Sequence, residues 1–531
     1  SWFFLSVWVM IQNARAAQFS WLRTMGALGL QSLGMLTTEY FYGLELLRPL
    51  LIWLALKPQA ERKQRIQSAA IQALPYTVVL IAVVGWRSAI TRLPAYNNYP
   101  ILLFDERSAA VSTNFVFFLQ EWLRQIYVSL VLGWAKGFEF PQPSTFGTLK
   151  TGAYGLLVLS TALFVSFFLG KLRLLNESSK SKELILLGII TLAVGGLPFL
   201  AAGLPMGVNF PPSRLTLPMS FGAGLLLVGA IERIPSSQWI KISLIAILSG
   251  LAVGAHFQNA VAFQRDWSYQ RAFFEQLRWR VPQIKPGTLL LSNIISETHS
   301  SDNSLTAALN WLYFDTVLGE DLPLLFFYVE TRQASYFPNP VSGVEVERQY
   351  GRFRFRGNTD RTLVLFFEPP ACLRLLDPNL DRFNPTLSEE IRQVAHLSNW
   401  EQVEEMPHRA MGDFPLALND AAESWCYSYQ KAELARQRGK WAEVVAWGEK
   451  GRASGDSPNR ADERIPLIQG YAMLGNWSRA IELTHETLRI NPRLNRVLCQ
   501  LWREIEQNTS LSENQQSALR TIHQTLKCEN N

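Results

Sequence analysis

Residues 1–257 form a succession of long apolar stretches separated by short basic connections, and that alternation decides the class of protein. A bilayer's hydrocarbon core of about 30 Å is crossed by roughly 20 apolar residues in a helix. The stretches 152–170, 183–203, 214–231 and 239–257 meet that length, and 21–36, 40–56 and 69–86 are weaker candidates. Residues 1–11 are apolar but too short to span, and without a charged leader they read as the end of a helix that begins upstream. The chain is 48% hydrophobic and only 18% charged, against about 25% charged in soluble domains. Most of that charge lies beyond Gln258, so the mean hydropathy of +0.04 averages two different materials. A purely soluble protein, a collagen, a disordered chain and a single domain are excluded, and the 531 residues suggest about three domain-sized units.

The net charge of +6 raises the question of nucleic acid. The placement of the charge argues against it. The densest basic runs, KPQAERKQR (Lys57, Arg62, Lys63, Arg65) and KLRLLNESSKSK (Lys171, Arg173, Lys180, Lys182), connect apolar segments. Loops of that kind stay cytoplasmic. Walking outward from them leaves residues 87–151 outside, returns the chain at 152–170, and delivers everything beyond His256 and Phe257 to the outer face of the plasma membrane. The outer stretch VSTNFVFFLQEWLRQIYVSLVLGWAKGF carries Glu121, Arg124 and Lys136 and is expected to lie as an interfacial amphipathic helix, with a membrane-dipping hairpin as the alternative.

Ionisable residues gather at that surface. Glu39 stands at the outer junction of two apolar segments, with Glu45 and Arg48 deeper on the second; Asp105, Glu106 and Arg107 share an outer loop; Arg214 opens a later span. Charge kept inside a membrane is functional by default. The competing reading for Glu45 and Arg48 is an internal pair, since residues three apart share a helix face.

The segment LQSLGMLTTEYFYGLELLRPLLIWLAL resembles the helix-junction-helix segment of the GT-C superfamily of polytopic glycosyltransferases, particularly the protein O-mannosyltransferases that end in tetratricopeptide repeats. Thr38-Glu39 and Pro49 stand where that family has a Ser-Lys-Glu type sequence and a proline-containing helix, with Thr38 in place of the usual Lys. NFPPSRLTLPMSFGAGLLL, with Arg214 and Pro218, is similar to a later Arg-x-x-x-Pro motif of the family, and FQRDWSYQRAFFEQLRWRVP to its juxtamembrane stretch. The resemblance implies transfer of a sugar from a polyprenyl-phosphate donor to an acceptor on the outer face. It casts Glu39 as the catalytic carboxylate, Arg48 and Arg214 (with Arg87 and Arg92 as further cations) as donor phosphate ligands, and Asp105, Glu106 and Arg107 as an outer-loop site. The family's principal acidic motif lies in its first outer loop, which is not seen in this sequence. No cofactor motif is present, and a divalent cation is allowed for. The alternative is a noncatalytic membrane subunit that docks a protein partner outside; transport ranks third, because the charges avoid the bilayer midplane.

Residues 258–285 mix Arg265, Arg271, Arg278 and Arg280 with Trp267, Tyr269, Phe273, Phe274 and Trp279, as expected of an interfacial amphipathic segment. Beyond it, 286–420 reads as a small extracytoplasmic α/β domain with a partly exposed sheet: strands at KPGTLLLSN, LPLLFFYVE, VEVERQYGRFRFRG and RTLVLFFEPP, and a helix behind a Ser304 cap. The run His299, Ser300, Ser301, Asp302, Asn303 has no nucleophile-elbow spacing and reads as a polar loop with a cap. Residues 421–531 hold an internal repeat in which Gly439 and Trp441 recur 36 positions later as Gly475 and Trp477. This tetratricopeptide-like pattern needs flanking helices to cap it, and such arrays bind peptides or subunits, or only pack. Cys372, Cys426, Cys499 and Cys528 are too few and scattered for a disulfide scaffold or a zinc knuckle. The fold class is therefore mostly α, with a polytopic membrane domain, an external α/β domain and helical repeats.

Overall fold

A computed structural model divides the chain into two compact units, Ser1–Phe263 and Gln264–Asn531. It describes residues 2–16, 18–56, 62–90, 111–172, 180–210, 212–295, 301–314, 319–336, 340–404, 424–509 and 512–528, apart from the side chains of 111–115, 333–336 and 514. Asp105, Glu106, Arg107, Arg92, His299 and Ser300 lie outside the described residues.

The first unit is helical throughout. It runs α1 (Trp2–Arg15), α2 (Trp21–Thr37), a 3-10 run (Glu39–Leu47), α3 (Arg48–Ala55), α4 (Arg62–Ile90), α5 (Val111–Tyr127), α6 (Gly133–Ala135), α7 (Pro143–Phe146), α8 (Thr148–Lys171), α9 (Ser181–Gly195), α10 (Leu197–Ala201), α11 (Leu217–Arg233) and α12 (Gln238–Arg280). Among the described residues five stretches are long and apolar enough to cross a membrane: Arg62–Ile90, Thr148–Lys171, Ser181–Ala201, Pro212–Arg233 and Gln238–Arg280. Residues 40–56 are not the single helix expected. Thr38 is extended, its hydroxyl accepts from the Tyr40 N–H at 3.4 Å, and the chain restarts as a tighter 3-10 helix. Gly43 lets that run lie against α9, because a Cβ there would collide with the Val194 carbonyl.

Small residues set the helix contacts, as they do where lipid removes the hydrophobic drive between helices. A Cβ on Gly222 of α11 would lie 2.8 Å from the Thr191 side chain of α9, and one on Gly188 of α9 would lie 2.8 Å from the Leu226 nitrogen. Gly250 and Gly254, four apart on α12, turn toward α8 in the same way, within 2.6 Å of the Val158 carbonyl and the Tyr154 ring. The amphipathic stretch that begins at α5 passes without a hairpin through a π turn (Val128–Leu132) to a 3-10 turn at Lys136–Phe138. Part of its apolar face is covered by protein, while Phe117, Leu123 and Val131 remain exposed. Val128 and Ser129 are buried, and the Trp122 indole donates to the Ala193 carbonyl at 2.9 Å.

The second unit begins within α12. Phe273, Phe274 and Leu277 of the expected interfacial segment are buried in the α/β core, so that face meets a protein interior. The strands are β1 (Gln283–Ile284), β2 (Thr288–Ser292), β3 (Leu324–Tyr328), β4 (Glu345–Tyr350), β5 (Phe353–Asn358), β6 (Thr362–Phe366), β7 (Arg374–Leu375) and β8 (Val403–Glu404). They form a four-stranded sheet in the order β3-β2-β6-β7, parallel across β3, β2 and β6, besides the pairs β1-β8 and β4-β5. The partly exposed sheet expected from the sequence is the β4-β5 pair, not the four-stranded sheet. Every residue of β2, β3 and β6 is buried, as parallel strands covered on both faces require. The exposed element is the β4-β5 hairpin, which the sequence presents as one strand and which turns at Gly351, φ +59°.

Ser301, not Ser304, caps α13 (Asp302–Tyr313). That helix closes the outer edge of β3. Thr306 exchanges hydrogen bonds with the backbone N–H and C=O of Phe326 at 3.0 and 3.2 Å, and Asn310 with those of Leu324 at 3.1 and 2.7 Å. A four-residue helical step thus imitates the two-residue step of a neighbouring strand, and the edge is blunted. Short helices α14 (Val329–Tyr336) and α15 (Glu389–Val394) follow, and then α16 (Trp425–Gln437), α17 (Trp441–Ala453), α18 (Ile465–Met473), α19 (Trp477–Ile490), α20 (Asn495–Gln507) and α21 (Glu513–Leu526).

These last helices share a core with the α/β part. Cys372 and Leu380 sit in the cluster built around Trp425 and Trp502. Beneath them Arg374 bridges Asp381 (2.6 Å) and Asp462 (2.5 Å), while Arg436 pairs with Asp377 and Glu433, both at 3.0 Å. The cysteines, which the sequence shows as too few and scattered for a disulfide scaffold, form two disulfides: Cys372–Cys426 across this joint and Cys499–Cys528 between α20 and the residues after α21.

Glu504 on α20 faces the same joint, and its Oε1 is buried without a hydrogen-bond partner among the described residues. Burial, with Asp377 adding to it, pushes its carboxyl up to about 7. A carboxyl raised in the folded state binds its proton more tightly there than in the unfolded chain, so its ionisation costs stability as pH rises from the usual carboxylate range through about 7. Glu504→Gln is therefore expected to slow hydrogen exchange in α20 at pH 8, by about 1 kcal/mol of opening free energy after allowing for remaining solvent contact, and to change nothing near pH 4. Equal protection of the two proteins at pH 8 would refute this.

Candidate functional site

The first unit contains a cavity of about 540 Å³. Its walls come from the 3-10 run (Tyr40), the end of the π-turn segment (Lys136), the turn before α11 (Ser213, Arg214) and α12 (His256, Asn259). Helices α11 and α12 are joined by the short connection 234–237, and Phe210, ahead of α11, meets Phe263 of α12 at 5.8 Å, so the two run antiparallel. Residues equally far from that connection therefore lie level. Arg214 and Ser213 fall beside His256 and Asn259, whereas Ala223 falls beside Leu248, and all six line the cavity. One end is polar and basic, and the other is apolar.

The groups at the polar end differ in how they are held. Lys136 donates from Nζ to the Asn209 side chain, which fixes the ammonium against the turn preceding α11. No ion pair or hydrogen bond engages the side chains of Arg214 or His256 among the described residues. No carboxylate lines the cavity among those residues either. An excess of cationic donors above an apolar chamber is complementary to an amphiphile with an anionic head.

The other expected residues are placed as follows. Glu39 does not line the cavity. It is ion-paired with Arg87 of α4, both side chains being about half exposed, so Arg87 is the partner its sequence neighbourhood did not provide. Tyr40, next to it, does line the cavity and meets Phe199 edge-on at 5.6 Å. Arg48 is fully buried and faces inward: Nη2 donates to Glu45 at 3.0 Å and to Ser6 at 3.1 Å, and the guanidinium lies 4.8 Å from the Tyr76 ring centre. Gln31 completes the set by donating to Glu45 at 2.8 Å and to the Tyr76 carbonyl at 3.0 Å. This is the internal pair weighed as the alternative, extended across five elements of the bundle.

In the second unit the repeated turn is a structural repeat. Gly439 and Gly475 have φ +66° and +83°, a region that glycine alone enters without cost. The Gly439 N–H donates to Arg436 O and the Lys440 N–H to Ala435 O; 36 residues on, Gly475 N–H donates to Ala472 O and Asn476 N–H to Tyr471 O. Trp477 is buried against Trp502 at 5.4 Å, while Trp441 is half-buried beside the smaller Val444 cluster.

Sequence reasoning singled out Arg214 but missed Lys136, Asn209 and His256 as its companions. Lys136 was visible only as a charge in an amphipathic stretch, and His256 only as the end of a span. The signal that could have found them is the antiparallel registry of two spans joined by a short connection. Compared with family models, curated proteins and solved structures, the chain shows no match.

Proposed function

We propose that this is a membrane glycosyltransferase-like protein that transfers a sugar from a polyprenyl-phosphate donor to an acceptor at the outer membrane face. The observation that carries the reading is the amphiphilic cavity, with Arg214 unengaged at its basic end. A lipid phosphate leaves as an anion, and cationic groups at its oxygens lower the barrier to that departure. Two further observations support the outward placement. Arg233 and Lys241 add to the basic connections at 57–65 and 171–182 in marking one side of five spans. Both disulfides fall in the second unit, and disulfides persist in oxidising compartments.

The test is transfer of labelled hexose from a polyprenyl-phosphate hexose by the full chain in membrane vesicles. Arg214→Ala is expected to lower turnover per donor concentration about 100-fold, as loss of one charge-stabilising donor does; full activity in that variant would end the assignment. A second reading, a noncatalytic subunit that binds a partner through the helical repeats, draws on the lack of a carboxylate among the described residues lining the cavity. It expects stoichiometric co-purification of another chain and no transfer by the protein alone.

A further inference from the structure

Transfer to a hydroxyl acceptor needs a group that takes the acceptor's proton as the new bond forms. Glu39, the carboxylate suggested for that work, is occupied by Arg87 and is not part of the cavity wall. The cavity itself offers Tyr40, Lys136 and His256 as side chains able to exchange a proton. A lysine ammonium has no lone pair to offer, and a neutral phenol is a poor base near neutrality. Imidazole is the side chain whose ordinary range of titration spans neutral pH. His256 is also the only histidine in residues 1–263.

We infer that His256 is the catalytic base of the cavity, with Arg214 and Lys136 holding the departing phosphate. The inference rests on the lipid-linked transfer reading. Position supports it independently of residue type. By the antiparallel registry, His256 lies level with Arg214 at the basic end, so the base and the phosphate-binding cation flank the place where a donor's head must sit if its chain fills the apolar end. Asn259, one turn further along α12 and also in the wall, is placed to hold the acceptor or a sugar hydroxyl.

The step balances without a further reactant. A ring nitrogen of His256 takes the acceptor's hydroxyl proton. The freed oxygen pair forms the bond to the sugar's anomeric carbon as the bond from that carbon to the phosphate oxygen breaks. That electron pair leaves with the lipid phosphate against Arg214 and Lys136. The imidazolium then returns its proton to the phosphate or to water. Charged groups of the described residues that line this end are Lys136 and Arg214, both cationic.

The experiment compares wild type, His256→Gln and Glu39→Gln with Asp105→Asn/Glu106→Gln, in vesicles supplied with a labelled polyprenyl-phosphate hexose. His256→Gln is expected to reduce kcat at least 100-fold with donor KM within threefold of wild type. It should also abolish the acidic limb of the pH–rate profile. In His256→Ala, added imidazole should restore part of the lost rate, a response that a merely structural role would not give, and one that also guards against misfolding of a single variant. The proposal is overturned if His256→Gln keeps kcat within threefold, if imidazole fails to rescue His256→Ala, or if the carboxylate variants lose the rate instead. Wild type that transfers while His256→Gln does likewise sinks only the role of His256; wild type that transfers nothing sinks the transfer reading and this role with it.

Discussion

Arg374→Met is expected to destabilise the second unit by about 3–5 kcal/mol, enough to open the joint between its sheet and its helical repeats. The arginine is 7% exposed and holds two aspartates at once, Asp381 at 2.6 Å and Asp462 at 2.5 Å, each nearly inaccessible to water. Burial pushes the Asp462 carboxyl up, but Arg374 and Arg460, with their hydrogen bonds, hold it below the usual carboxylate value. Removing the guanidinium therefore leaves two carboxylates desolvated, only one of them with another cation. Asn384 donates to both, at 3.2 and 3.3 Å, and cannot neutralise either. The triple variant Arg374→Met, Asp381→Asn, Asp462→Asn should recover much of the loss, because a buried ion set replaced as a whole is far less costly than one that is broken. Denaturant unfolding of the full chain in detergent, followed by the fluorescence of Trp425 and Trp502 at this joint, reads both variants. A single variant within 1 kcal/mol of wild type would show that the joint does not depend on the arginine.

Much of the architecture was legible before the structure because it is written in short-range pattern. Apolar length located the five helices long enough to cross a membrane, though it also suggested spans at the shorter helices Trp21–Thr37 and Arg48–Ala55; turn residues bounded β2, β3 and β6, and the paired Gly–aromatic turns located the repeat. What stayed hidden is long-range. Phe273, Phe274 and Leu277 have the composition of an interfacial belt, and only the sheet packed on them makes them core. The hairpin at Gly351 alternates arginine and phenylalanine as continuously as a single strand would. The cavity gathers Tyr40, Lys136, Arg214 and His256 from four separated segments, so only the pairing of helices brings them together. Arg48 illustrates the converse. Its charge within an apolar segment pointed to a ligand, and its three-residue offset from Glu45 pointed equally to an internal pair, a choice that spacing alone does not make.

Both disulfides should be closed in the protein as it stands in its membrane, and opening them should cost about 4 kcal/mol for Cys372–Cys426 and about 3.5 kcal/mol for Cys499–Cys528 in the chain-entropy account. The first closes a 54-residue separation and the second a 29-residue one, so the unfolded chain is restrained more by the first. Cys372–Cys426 also spans the joint held by Arg374, with Glu463 beneath it accepting from the Cys372 N–H at 2.9 Å and from the Trp425 indole at 2.8 Å. Cys426→Ser should for that reason weaken the joint more than the loop term alone, since it places a hydroxyl among apolar neighbours. Cys499→Ser should act on α20 and α21 only. Alkylation of intact membranes with a large thiol reagent, before and after reduction, measures the state directly. No modification before reduction and four sites after it is the expected result. Free thiols in the untreated protein would remove the stabilisation and, with it, the argument that the second unit faces an oxidising compartment.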